Sequence, residues 1–155
     1  MNDSIDEIFM RRALELAKEA AELGEVPVGA VIVKDGEIIA EDFNRRELDK
    51  NAAAHAELLA INKACERLGG WRLTGCTLYV TLEPCPMCAG AIVNSRLSRV
   101  VFAAKDPKAG AFGSVLNLNF YPLNHKPKLE SGLCGIEASA QLRDFFSSLR
   151  NKRGK

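Results

Sequence analysis

Histidine is scarce in this chain. Only two are present, His55 and His125, so the chemistry of either one carries weight. No sign of charge dominates: the formal net charge is +1, and no global electrostatic case for a nucleic-acid partner exists. Long apolar runs are missing as well. The longest, "VPVGAVIV", is interrupted by Pro27 and Gly29 and is far too short to cross a bilayer, which excludes a membrane role. The opening "MNDSIDEIF" lacks the basic segment and apolar core of an export signal. Without such a signal, and with an odd number of cysteines, Cys65, Cys76, Cys85, Cys88 and Cys134 are expected to be reduced thiols or metal ligands in a cytoplasmic protein.

What is present suits one domain spanning residues 1–155, with an apolar fraction of 47% that can build a real core. The N-terminal segment is acidic (Asp3, Asp6, Glu7). The tail is basic (Arg143, Arg150, Lys152, Arg153, Lys155) and reads as a solvated helix end whose last few residues are flexible. Ser4 and Glu7 have capping-box spacing, and Ile5, Ile8, Phe9, Ala13, Leu16, Ala17, Ala20 and Leu23 then recur at helical intervals until Gly24.

A strand over Val26 to Val33, a turn at Lys34 to Gly36 and a returning strand "EIIAEDF" make a hairpin. A polar loop leads into a helix carrying His55, with a buried stripe expected at Ala54, Leu58, Ile61, Cys65 and Leu68. Then come a strand "TLYVTL", a turn and helix "EPCPMCAGAIVNS", a strand "RVVFAA", a Gly-containing loop "DPKAGAFGS" and a short edge strand in "KPKLES". A last helix shows Ala138, Leu142, Phe145, Phe146 and Leu149 on one face. A hairpin followed by alternating strands and helices implies an α/β fold, a mixed sheet of about five strands covered on both faces.

Two stretches carry the chemistry, "HAE" at His55 to Glu57 and "EPCPMC" at Glu83 to Cys88. Pro84 favours extended geometry before it, and Pro86 suits the first turn of a helix, so Cys85 belongs at a helix entry with Cys88 on its first turn. Free N–H groups and the dipole there favour thiolates. If both helix starts lie at one edge of the sheet, His55 completes a Cys2His set, which leaves tetrahedral zinc one open position. Two helical residues turn about 200°, so Glu57 should not point where His55 does; it makes a poor ligand but a fitting base for a nearby water.

Three readings of the cysteines stand side by side. A thioredoxin-like redox pair leaves "HAE" unexplained. A structural zinc clip needs a fourth ligand, and Cys65, Cys76, Cys134 and His125 show no second paired spacing. A catalytic zinc hydrolase uses every residue of both stretches.

"HAE" followed by "TLEPCPMC" resembles the cytidine/deoxycytidylate deaminase superfamily, and within it the bacterial tRNA adenosine deaminases. The likeness extends over nearly the whole chain: "GEVPVGAVIV", "HAELLAI", "DPKAGAFGS", "LNHK" and the "FFSSLR" tail. It implies a three-layer α/β/α cytidine-deaminase-like fold and one Zn²⁺ per chain held by His55, Cys85 and Cys88. Glu57 would move a proton from water to the base and help the amino group leave as ammonia.

The implied substrate is adenosine 34, the wobble position of a tRNA anticodon stem-loop, typically an arginine tRNA, and the product is inosine. The implied assembly is a homodimer. Asn44 corresponds to the family's base-contacting asparagine, whose amide could both donate to and accept from adenine. Val28 would form an apolar pocket wall, Asp106 would belong to a loop gripping the anticodon backbone, and His125, Phe145, Phe146 and Arg150 would lie near the RNA.

The chain departs from the family where "NAAA" replaces the usual "DPTA" before "HAE", and where Glu137-Ala138 replaces a late "EC" pair. The alternatives are a guanine, cytosine or nucleoside deaminase on the same scaffold and, outside enzymes, an RNA-binding scaffold subunit with a vestigial zinc site.

Overall fold

The hairpin organises the sheet. β1 (Gly29–Lys34) and β2 (Glu37–Phe43) are joined at Asp35 and Gly36, both with positive φ (51° and 77°), the geometry of a tight two-residue turn. β1 is antiparallel to β2 on one side and to β3 (Cys76–Leu82) on the other, while β4 (Arg99–Ala104) and β5 (Lys128–Ser131) run parallel to β3. The strand order is β2-β1-β3-β4-β5, a mixed five-stranded sheet. The structure is a computed structural model and describes residues 2–153.

Alternating side chains of the strands feed two cores. Ala30, Ile32, Leu78, Val80, Val100 and Phe102 pack on one face against α2 (Ala56–Leu68) and α3 (Pro86–Ser95). Val31, Val33, Tyr79, Val101 and Ala103 pack on the other face against α1 (Asn2–Glu22), joined by Ala138 of α4 (Gly135–Arg153). The result is the expected three-layer α/β/α arrangement. A short 3₁₀ turn, Leu118–Phe120, precedes β5.

Strand register places the functional edge. Because β2 and β3 are each antiparallel to β1, they run in the same direction, and their ends share one edge of the sheet. Both helices that follow them therefore begin at that edge, and so does the loop after β4. This supplies the convergence of the two helix starts on which the metal reading depends.

Several expectations need correction. β1 starts at Gly29 rather than Val26. On α1, Ile5, Ile8 and Leu23 are exposed, and the inner face is Asp6, Met10, Ala13, Leu14 and Ala17. The buried side of α2 is Ala56, Glu57, Ala60, Ile61 and Ala64, with Leu68 exposed and Leu58 and Cys65 half-buried. Small alanines bring a helix close to a sheet, and that close approach outweighs the pull of the larger residues one position away. On α4, Phe146 is exposed while Phe145, Leu142 and Leu149 are half-buried. α1 already runs from Asn2; the side chain of Ser4, and with it the expected cap, lies outside the described residues, as do Gly154 and Lys155 of the tail.

Candidate active site

His55 is not within α2 but is its N-cap, with extended backbone (φ −81°, ψ 148°). Its side chain makes no cap bond. Asn44, one residue beyond β2, does so instead: its Oδ1 accepts the Ala56 N–H at 2.8 Å. Across the sheet edge, Cys85 is the extended N-cap of α3, Pro86 occupies the first helical position, and Cys88 sits on the first turn, as the proline spacing predicts. His55 Nδ1 lies 3.7 Å from Cys85 Sγ and 3.6 Å from Cys88 Sγ. The three ligand atoms lie within 4.8 Å of one another.

These distances suit a shared ion. Tetrahedral zinc with Zn–N near 2.1 Å and Zn–S near 2.3 Å separates nitrogen from sulfur by about 3.6 Å. The protonation chemistry agrees. Cys85 is pulled down to about 3, first by the hydrogen bond from Cys88 and then, against burial, by His55. Cys88 is driven up, because its proton is engaged by Cys85 and because it is buried. The bond to Cys85 raises His55, with burial opposing. Alone, the trio cannot sustain two thiolates; a dication among them would remove the conflict. No fourth His, Cys or acidic ligand joins the group among the described residues, which favours an open, catalytic arrangement over a structural clip.

Glu57 stands outside the ligand set, as its helical offset predicts, yet lines the same pocket and is only 4% exposed. Burial pushes its carboxyl up to about 7, partly countered by its own backbone N–H and by the charge of His55. A carboxyl poised there can take or give a proton near neutrality.

The pocket is a cleft of about 390 Å³, within the usual size for small-molecule sites. Val26, Val28 and Leu82 give it apolar walls. Arg46, Lys105 and Lys108 are exposed on its rim and form no ion pair among the described residues. Asn44 lines it too. Its oxygen already accepts one bond from α2, which leaves its N–H donors and one oxygen lone pair for a ligand. Asp106 lines the opposite wall, where its Oδ1 accepts the N–H groups of Lys108 and Ala109.

Of the other sequence candidates, Phe146 also lines the cleft, and the rest lie farther out. Phe145 stacks edge-on against Phe146, ring centroids 5.4 Å apart, and lines an adjoining cleft with Leu149. Arg150 is exposed on α4 and lines neither cleft. His125 is not brought to the pocket: its ring Nε2 contacts the Leu97 carbonyl at 2.6 Å, near the start of β4 and away from the functional edge.

Two buried glutamates escaped the sequence reading. Glu25 accepts the Glu47 and Leu48 N–H groups at 3.2 and 2.7 Å, holding the loop that carries Arg46. Glu83 accepts the N–H groups of Asp106, Phe112 and Ser114 and the Ser114 hydroxyl. Burial alone would push its carboxyl up, but the Ser114 hydroxyl and those backbone groups more than reverse it, leaving it below the ordinary glutamate value. Its position inside "EPCPMC" was the available signal.

A family model for MafB19-like deaminases matches residues 4–150. A tRNA-specific adenosine deaminase of Bacillus subtilis (strain 168) is 52% identical over 149 residues, spanning 96% of this chain and 92% of that protein. This chain belongs to the tRNA-specific adenosine deaminase family. A solved structure from studies of A-to-I editing by tRNA:A34 deaminases at the wobble position of transfer RNA superposes with a TM-score of 0.85. It is 47% identical, covering 86% of this chain and 98% of its own. A guanine deaminase from Nitrosomonas europaea, 29% identical, superposes at 0.76 over 90% of this deaminase and 83% of that chain, so the scaffold also serves a free base.

Proposed function

We propose that the whole chain works as one zinc-dependent deaminase domain that hydrolyses adenosine 34 of a tRNA anticodon to inosine and ammonia. The observation that carries this reading is the meeting of His55 Nδ1 with both sulfurs, at 3.7 and 3.6 Å, beside a buried Glu57. The names of its relatives supply the substrate class. His55, Cys85 and Cys88 would hold the ion. When bound, zinc would acidify water and so supply a nucleophile at neutral pH.

The chain's own residues do the rest. Glu57 takes a proton from the attacking water, delivers it to N1 of adenine, and passes a second to the departing amino nitrogen. One water is consumed and one ammonia released. Asn44 donates from its amide to the base, and Val28 packs against the ring. The rim cations Arg46, Lys105 and Lys108, with the Asp106 loop, suit the phosphates and sugars around a splayed anticodon base, where no pairing has to be broken. Phe145 and Arg150 extend that surface along α4.

An arginine tRNA, a homodimer and a cytoplasmic location complete the proposal. The exposed apolar groove lined by Val115, Phe120 and Tyr121 supports a second copy as partner. The zinc-loaded protein should form inosine in an anticodon stem-loop carrying A34 and release no ammonia from free adenosine, guanine or cytosine. Release from a free base with the stem-loop untouched would overturn the tRNA assignment in favour of a base deaminase. Tight RNA binding with no turnover of any of them would favour a scaffold subunit.

A further inference from the structure

Glu83 lies between the end of β3 and the proline that precedes Cys85, yet every bond of its side chain runs to the other wall of the pocket. The residue is 2% exposed. Its Oε1 accepts the Asp106 N–H at 3.1 Å and the Ser114 hydroxyl; its Oε2 accepts the N–H groups of Phe112 at 3.0 Å and Ser114 at 3.1 Å. Backbone bonds close the segment around it, from Ala111 N–H to the Pro84 carbonyl and from Gly110 N–H to the Asp106 carbonyl, each at 2.9 Å. A Cβ at position 110 would collide with both carboxylate oxygens, so glycine there is a requirement of the contact.

Only an anion fits this socket. All its partners donate, and a carboxylate is an acceptor at both oxygens. An amide of the same shape would keep one oxygen and set an NH2 group against N–H donors.

We propose that Glu83 is a positioning residue, a buried pin that fixes residues 106–114 as one wall of the pocket while the chain just beyond it delivers Cys85 to the metal side. The segment presents Asp106, Lys108 and Ala109 to the cleft, so the pin sets the wall that receives the substrate. The choice of substrate rests on the tRNA-deaminase reading above; the pin itself does not.

The test uses the zinc-loaded protein and an anticodon stem-loop. Glu83→Gln raises KM for the stem-loop by at least about tenfold, keeps kcat within about threefold, and retains about one zinc per chain. A merely structural role would lower the active fraction, and hence kcat, without moving KM. Gly110→Ala attacks the same contact from the loop side and gives the same KM shift, and the double variant is little worse than the poorer single. Hydrogen exchange at the Phe112 and Ser114 amides quickens by about tenfold in Glu83→Gln, with α2 and α3 unchanged. Unchanged exchange there, additive KM shifts in the double variant, or zinc loss with KM unmoved would each overturn the pin. If the unaltered protein ignores the stem-loop, the functional reading falls, and the exchange result still decides the role of Glu83.

Discussion

The sheet handles charge in opposite ways in two regions. Near the start of β4, Asp6 of α1, Tyr79 of β3, Arg99 of β4 and Glu130 of β5 form a closed network. Arg99 donates to both Asp6 oxygens at 2.9 and 2.6 Å and pairs with Glu130, and the Tyr79 hydroxyl donates to Asp6 at 2.6 Å. Every charge there has an opposite at hand. Where β2 and β3 finish, the reverse holds: Glu57 is buried with its carboxyl pushed up to about 7, and the two cysteines contend for one proton. The first region ties α1 to the sheet. The second keeps groups ready to bind an ion and move protons, so the charge left unanswered at this edge has a use.

The contrast is tested most severely by Glu57→Gln. Losing its proton transfer should cut inosine formation by about a thousandfold. The thermal midpoint should stay put or rise, because an amide carries no buried charge. Turnover within tenfold of the unaltered protein, on a stem-loop assay with matched zinc content, would show that this region is no more specialised than the other.

Asp6→Asn probes the closed region and should have the opposite signature. Removing one partner of a partly buried ion pair, with Arg99 still paired to Glu130, should cost about 2 kcal/mol in chemical denaturation at neutral pH, with activity per folded molecule intact. The pH dependence follows from the bond to Arg99, which outweighs burial and, with Tyr79, holds the Asp6 carboxyl below its ordinary 3.8. A depressed folded value means the stabilisation is complete above the ordinary value and drains away as pH falls through the lowered one. The gap between the two proteins should therefore be full at pH 7, begin to close near pH 4 and vanish in stronger acid. A gap that widens in acid would refute the assignment.

How much of this was legible in the sequence depends on what kind of signal each feature leaves. Alternation between turn residues bounded β2 and β4 to the residue, and the two prolines placed Cys85 and Cys88 at the start of α3. The meeting with His55 was conditional until the antiparallel pairing of β1 with both neighbours made β2 and β3 run together. Helix faces were harder. Asp6 read only as part of an acidic start, but its partner Arg99 is far away in the chain, and that bond turns it inward while Ile5 and Ile8 face out. Glu25 left no signal and Glu83 only its place in "EPCPMC", for another reason: their partners are mostly backbone N–H groups, which every residue except proline carries.

The smallest expected effect is also the most specific. Tyr79→Phe deletes one hydroxyl and keeps the ring, whose centroid lies 5.4 Å from that of Phe9, so apolar burial is preserved. Asp6 retains both bonds from Arg99, and the loss should be about 1 kcal/mol, the net worth of one hydrogen bond. If the hydroxyl acts through Asp6, its deletion should cost almost nothing once Asp6→Asn is in place, a coupling that denaturation of the double variant would measure. Equal losses in both backgrounds would mean the Tyr79 hydroxyl contributes separately and the network is a set of neighbours rather than a unit. Inosine formation should be unaffected either way, since the hydroxyl stabilises a region remote from the pocket, whereas an equally small change at Glu57 leaves stability alone and removes the chemistry.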